Sequence, residues 1–167
     1  LTAELASGSF ALWQLDDPRL YRFDASLRID GDEVHAVSDR FGIRSFVIDG
    51  TSILLNGEKV KLAGANRVSD TPIDGNTEPV DIVRRDLDRM KAAGLDFTRI
   101  MHYPQSPELL DYADEIGMLL IAETPVWGGA RNLLGEITQI QHEFREMVER
   151  DVNHPSIIAY SVANEIA

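Results

Sequence analysis

The 167-residue chain contains no cysteine. That absence excludes disulfide scaffolds, thiolate metal sites and thiol nucleophiles, and it leaves the cellular compartment open. Basic residues are scarce as well: 16 Lys and Arg stand against 28 Asp and Glu, for a formal net charge of -12. A phosphate-backbone partner calls for Lys and Arg clustered on one face, so the balance argues against nucleic acid and favours a neutral or cationic small substrate. No stretch approaches the apolar length of a membrane span, and Leu1-Thr2-Ala3-Glu4 has neither the basic start nor the apolar core of a signal peptide. An initiator Met is also missing, and the expectation is a piece excised from something longer.

What is present is ordinary for a globular protein. Hydrophobic residues make up 44% and charged residues 26%, enough to bury a core in one domain with room for a small second module. Residues 1 to about 48 read as β: "FALW" leads to the turn Asp16-Asp17-Pro18, and "LYRFDASLRI" and "DRFGIRSFVI" each alternate apolar with polar positions. This pattern resembles the end of an antiparallel sandwich. In "ILLNGEKVKL", Asn56-Gly57 between two apolar runs predicts a hairpin, because both residues tolerate the positive φ of a tight turn.

Beyond Lys61 the period changes. "VKLAGAN" predicts a short strand, and "PVDIVRRDLDRMKAAG" a helix with Val83, Leu87 and Met90 on one face and Gly94 as its stop. "DFTRIM" predicts a second strand. Ser106-Pro107-Glu108 then opens a helix with an N-cap, a Pro at the first position and an acid in the first turn, its stripe being Leu109, Ala113 and Ile116 before Gly117. "MLLIAET" is a third strand, and "GEITQIQHEFREMVERD" a third helix with Ile137, Ile140, Phe144 and Met147 or Val148 inward. "SIIAYSVANE" is a fourth strand. Strands alternating with helices through short loops imply a parallel sheet of α/β class.

In such architectures ligands bind beyond the carboxyl ends of the strands. Those ends carry Asn66-Arg67, His102-Tyr103, Glu123 with Trp127, and Asn164-Glu165. Each has a plain structural alternative: Arg67 as a surface partner of Asp70, His102 as a turn cap, Trp127 as filler under its loop, and Glu123 as one half of a salt bridge. Trp127 also suits a sugar ring, which is held by stacking its apolar face on an aromatic. Asn164-Glu165 is harder to read as structural, since a carboxylate at the rim of a buried strand must be solvated, paired or used. Glycoside hydrolysis uses a pair of carboxyls, an acid/base and a partner, and Glu165 supplies one candidate.

Three blocks resemble glycoside hydrolase family 2, the β-galactosidase, β-glucuronidase and β-mannosidase group. They are "LLNGEKVKLAGANR", "RIMHYPQSPELLDYADEIGMLLIAET" and "DVNHPSIIAYSVANE", while "LWQLDDPRLY" and "FGIRSF" are similar to the strands that precede that family's barrel. The resemblance implies two parts, the end of an immunoglobulin-like β-sandwich at 1–48 and the N-terminal half of a (β/α)8 TIM barrel at 49–167. It implies a retaining, exo-acting β-glycosidase that needs no cofactor, with Glu165 as general acid/base and Asn164 bonding the sugar 2-hydroxyl. His102 and Arg67 match positions lining the sugar subsite.

The chain departs from the family pattern at Val68, where His is usual, at Ile100-Met101, where small residues are usual, and at Tyr160, where Trp is usual. The metal-binding acid and His of some β-galactosidases have no clear match in "AETPVWGGA", so no metal is expected. The family's nucleophile, a Glu on a later strand, falls beyond residue 167. The half-barrel alone is therefore expected to need its missing C-terminal half and to lack turnover. A non-catalytic carbohydrate-binding or structural fragment is the alternative at this point.

Overall fold

The computed structural model describes residues 8–128 and 133–166. Its first elements, β1 (Tyr21–Ile29) and β2 (Asp32–Phe41), form an antiparallel hairpin. The hairpin turns at Asp30-Gly31, both at positive φ (53° and 95°). Such a two-residue turn carries the same twist as the strands it joins.

The strand expected over "DRFGIRSFVI" is two separate pieces. β2 stops at Phe41, and β3 (Phe46–Asp49) pairs with β4 (Ser52–Leu55) rather than with the hairpin. Residues 42–45 are instead spent on the base of the parallel sheet. A Cβ at Gly42 would stand 2.6 Å from Pro155 Cγ, and Arg44 donates to the carbonyls of Pro155 (2.8 Å) and Ile157. Close backbone approach and side-chain bonding across this seam take the place of a ladder. β4 pairs with β5 (Glu58–Val60) through Asn56-Gly57, at φ 55° and 82°, as the sequence predicts.

Four parallel strands follow in the order β6 (Gly64–Val68), β7 (Phe97–Met101), β8 (Leu119–Glu123) and β9 (Ile157–Ser161). They alternate with α1 (Val80–Ala92), α2 (Pro107–Ile116) and α3 (Leu133–Asp151). The first strand starts at Gly64, later than "VKLAGAN" suggests, and carries Arg67 within it. Helix α2 begins as expected: Ser106 Oγ accepts from the Leu109 N–H at 3.4 Å, Pro107 is the first helical residue, and Gly117 closes it in the left-handed region.

One face of the sheet is apolar and covered by the helices. Val83 and Leu87 of α1 and Leu109, Leu110 and Ala113 of α2 are buried in one cluster with Ile100, Leu120, Ala122 and Ile157 of the strands. Met147 brings α3 into that cluster, with Phe144 partly buried beside it. Ile137, expected inward, is 51% exposed. Helix α3 meets the cluster through Met147 and Phe144, in its second half.

The "NHPS" run is the foot of β9, at the opposite end of the strand from Asn164-Glu165. Asn153 Nδ2 donates to Asp39 at 2.6 Å, His154 Nδ1 lies 2.6 Å from Asp114 Oδ2, and the Ser156 N–H donates to Asp114 Oδ1 at 3.0 Å. Trp13, with no exposed surface, donates its indole N–H to the Asp114 carbonyl at 2.9 Å. One short run thus fastens the N-terminal segment, α2 and β9 together.

Candidate active site

Strand alternation decides which side chains share the uncovered face. Ile100 is in the helix-side cluster, so its neighbour Arg99 projects the other way, and pairing of Arg99 with Asn66 and Ile121 puts those residues on the same side. Between Leu120 and Ile121 the register against β9 shifts, which aligns Glu123 with Ser161. Without that irregularity Glu123 would pair one position earlier along β9, with Tyr160. Arg67, paired with Ile100, faces the helices.

Glu123 is the centre of the exposed-face cluster, though it has no exposed surface itself. Arg99 donates to its Oε2 from Nε (2.9 Å) and from Nη2, and His102 Nδ1 lies 2.5 Å from its Oε1. Burial is the largest single influence on Glu123 and raises its pKa, but hydrogen bonds from His102, Ser161 and Arg99 and the Arg99 charge together hold it below the ordinary carboxyl value. Glu123 is a carboxylate with both oxygens occupied. It is suited to orienting its neighbours rather than to delivering a proton.

Arg99 Nη2 also donates to Asn164 Oδ1 at 2.8 Å. The amide is carried there by the loops after β8 and β9, which run alongside each other. The Thr124 N–H donates to the Ser161 carbonyl (3.2 Å), Thr124 Oγ1 to the Val162 carbonyl (2.6 Å), and the Asn164 N–H to the Val126 carbonyl (2.8 Å). These bonds continue the parallel pairing as far as Trp127 and Asn164. Glu165 follows directly, exposed and at φ 51°, a left-handed conformation uncommon for a non-glycine residue. Trp127 is 61% exposed, so it does not fill a gap under its loop, and its ring lies 6.0 Å from that of His102 with 30° between the planes.

Of the residues read from sequence, His102, Glu123, Trp127 and Asn164 are therefore linked at this rim, and Glu165 is the next residue in the chain after Asn164. Arg67 does not join them. Its guanidinium, almost fully buried, pairs with Glu78 (2.5 Å) and with Asp86 of α1 (3.2 Å) rather than with Asp70. Burial is the largest influence on Arg67 and favours neutrality, yet the two carboxylates outweigh it and raise its pKa. Arg99 is the site residue the sequence reading missed. Its signal was a lone cation in "FTRIM", at a position whose two strand neighbours are both buried.

Among the described residues, one histidine and carboxylate group has ligand atoms within 4.8 Å of one another, namely Asp111, Asp114 and His154. It lies at the foot of the sheet, and its members are already bonded to Arg40, Ser156 and one another. Of "AETPVWGGA", residues 129 and 130 lie outside the described residues.

Comparison with known proteins bears on the family and the fold. Residues 46–167 match the family described as "Glycosyl hydrolases family 2, TIM barrel domain", and residues 3–44 match "Glycosyl hydrolases family 2". The chain is 36% identical to a β-galactosidase of Thermoanaerobacterium thermosulfurigenes over 90% of its own length and 21% of the relative's. It is 35% identical to a putative β-glucuronidase of Formosa agariphila, covering 93% of this chain and 19% of that protein. A crystallised β-glucuronidase from Ruminococcus gnavus in complex with D-glucaro 1,5-lactone superposes with a TM-score of 0.89 at 34% identity, over 95% of this chain and 28% of that one. The chain thus spans about a fifth of the length of these curated relatives. The parallel sheet with its helices is the first half of a (β/α)8 barrel, preceded by the last strands of an immunoglobulin-like sandwich. The chain belongs to glycosyl hydrolases family 2.

Proposed function

We propose that the chain supplies the acid/base half of the active site of a retaining, exo-acting β-glycosidase, completed by a C-terminal half-barrel that brings the nucleophile. In this reading residues 1–48 end the sandwich and 49–167 begin the catalytic domain. The observation that carries it is the convergence of His102, Asn164 and Trp127 beside Glu165 at the carboxyl ends of β7, β8 and β9. Glu165 protonates the glycosidic oxygen as the bond breaks and later takes the proton from water. Asn164 bonds the sugar 2-hydroxyl, Trp127 stacks on the ring, and no metal or cofactor takes part. The partner is a β-glycoside and not a nucleic acid or a membrane.

Arg67 keeps a structural part in this reading, behind the sheet. Its commitment to Glu78 and Asp86 on the helix side supports that assignment.

The test is Glu165→Gln in the full-length protein carrying this chain. Turnover of glycosides with poor leaving groups should fall by about 100-fold or more, while activated aryl glycosides should be nearly spared at the bond-breaking step, because only the former need protonation. Equal rates for variant and parent on a poor leaving group would overturn the assignment.

A further inference from the structure

Among the described residues, Arg99 is the one side chain that touches both the buried carboxylate and the amide of this site. A guanidinium has donors only, so the atom of Asn164 that faces it must be the amide oxygen. That fixes the flip of the amide: Oδ1 is held by Arg99, and Nδ2 is left as a donor for another partner. We propose that Arg99 is a positioning residue that orients the Asn164 amide toward the substrate 2-hydroxyl, with Glu123 anchoring the guanidinium. The proposal rests on the glycosidase reading above.

Three features support it. Glu123 holds Arg99 through two nitrogens on one oxygen, which restricts rotation of the guanidinium plane. The same carboxylate accepts from His102 Nδ1 on its other oxygen, so it is held in place from both sides. Asn164 itself sits on a backbone already pinned to Val126, so its remaining freedom is rotation of the side chain. Arg99 removes that freedom. An amide free to flip would present its oxygen to the sugar for part of the time and lose a bond that tightens as oxocarbenium character develops.

The experiment compares the full-length parent with Arg99→Lys, Arg99→Met, Asn164→Ala and the Arg99→Lys/Asn164→Ala double variant. Substrates are para-nitrophenyl β-galactoside, β-glucuronide and β-mannoside, each beside its 2-deoxy counterpart. Arg99→Lys keeps a cation against Glu123 but has one ammonium where the guanidinium had a fork, so it cannot hold carboxylate and amide in the same plane. It therefore keeps the test valid where Arg99→Met fails to fold.

Arg99→Lys should lower kcat/KM on the 2-hydroxy substrate by about 10- to 100-fold, mostly in kcat, and lower it far less on the 2-deoxy substrate. The double variant should be no worse than Asn164→Ala alone, because both changes remove one interaction. Equal losses on 2-hydroxy and 2-deoxy substrates, or multiplying losses in the double variant, would overturn the positioning role while leaving the glycosidase reading intact. A parent that turns over none of these glycosides overturns both.

Discussion

His154 Nδ1 lies 2.6 Å from Asp114 Oδ2, and the other oxygen of the same carboxylate accepts from the Ser156 N–H. The pair ties the foot of β9 to α2, where the Asp114 carbonyl also receives Trp13. Burial is the strongest influence on His154 and disfavours its charged form, but the Asp114 bond and the charges of Asp114, Asp111 and Asp151 outweigh it and raise its pKa above 6.5. A raised folded value means that the protonated ring stabilises the folded state. That contribution is complete below pH 6.5 and is lost as pH rises through the folded value. Thermal melts of the full-length protein should show His154→Gln with a smaller deficit at pH 8 than at pH 5.5. A deficit independent of pH would show that the ring acts only by shape.

Glu123 has the opposite sign. Its folded pKa is lowered, so its contribution is present above the ordinary value of 4.5 and is lost as pH falls through the folded one. Glu123→Gln should cost about 2–3 kcal/mol near neutrality, since Arg99 loses its counter-charge at a site only partly open to solvent. Urea unfolding at pH 7 and at pH 4 measures it, and the deficit should shrink at the lower pH.

At the seam between the N-terminal segment and the barrel, Gly42→Ala should destabilise by about 1–3 kcal/mol. Its new methyl group would press on Pro155 Cγ and on the Trp13 Cβ at 3.0 Å. Urea unfolding of the variant beside the parent reads the cost, and unchanged stability would mean that the seam opens without penalty.

Trp127→Ala separates binding from folding. The indole is mostly exposed, so stability should change by less than about 0.5 kcal/mol. Loss of a stacking surface should raise KM by about tenfold, with kcat less affected. A fall in the melting temperature with KM unchanged would return Trp127 to a structural part.

Arg67→Met is expected to do the reverse. Removing a guanidinium that neutralises two carboxylates behind the sheet should cost about 3 kcal/mol in urea unfolding. The KM of the folded fraction should stay near that of the parent, whereas a large rise in KM with stability intact would place Arg67 at the sugar.

Much of the fold was legible because local rules and tertiary demands agree along this chain. Asn56-Gly57 turned where positive φ is permitted, Ser106-Pro107 began α2, and Gly117 ended it. The alternation of strand and helix led to the parallel sheet. The misreadings fall where a long-range contact overrode a local pattern. "DRFGIRSFVI" alternates well enough for one strand, yet Gly42 and Arg44 are claimed by Pro155 and Ile157, more than a hundred residues away.

The candidate site divides in the same way. The sequence by itself placed Glu165, Asn164, His102 and Trp127 at strand ends, because a parallel sheet carries such residues to one rim whatever the details of packing. Which face Arg67 and Arg99 occupy could not be decided there. A side chain points up or down according to where its strand begins, and a one-residue shift reverses every assignment along it. Only the tertiary structure set the start of β6 at Gly64 and the irregularity between Leu120 and Ile121. The first turned Arg67 toward the helices, and the second aligned Glu123 with Ser161 on the strand that leads to Asn164.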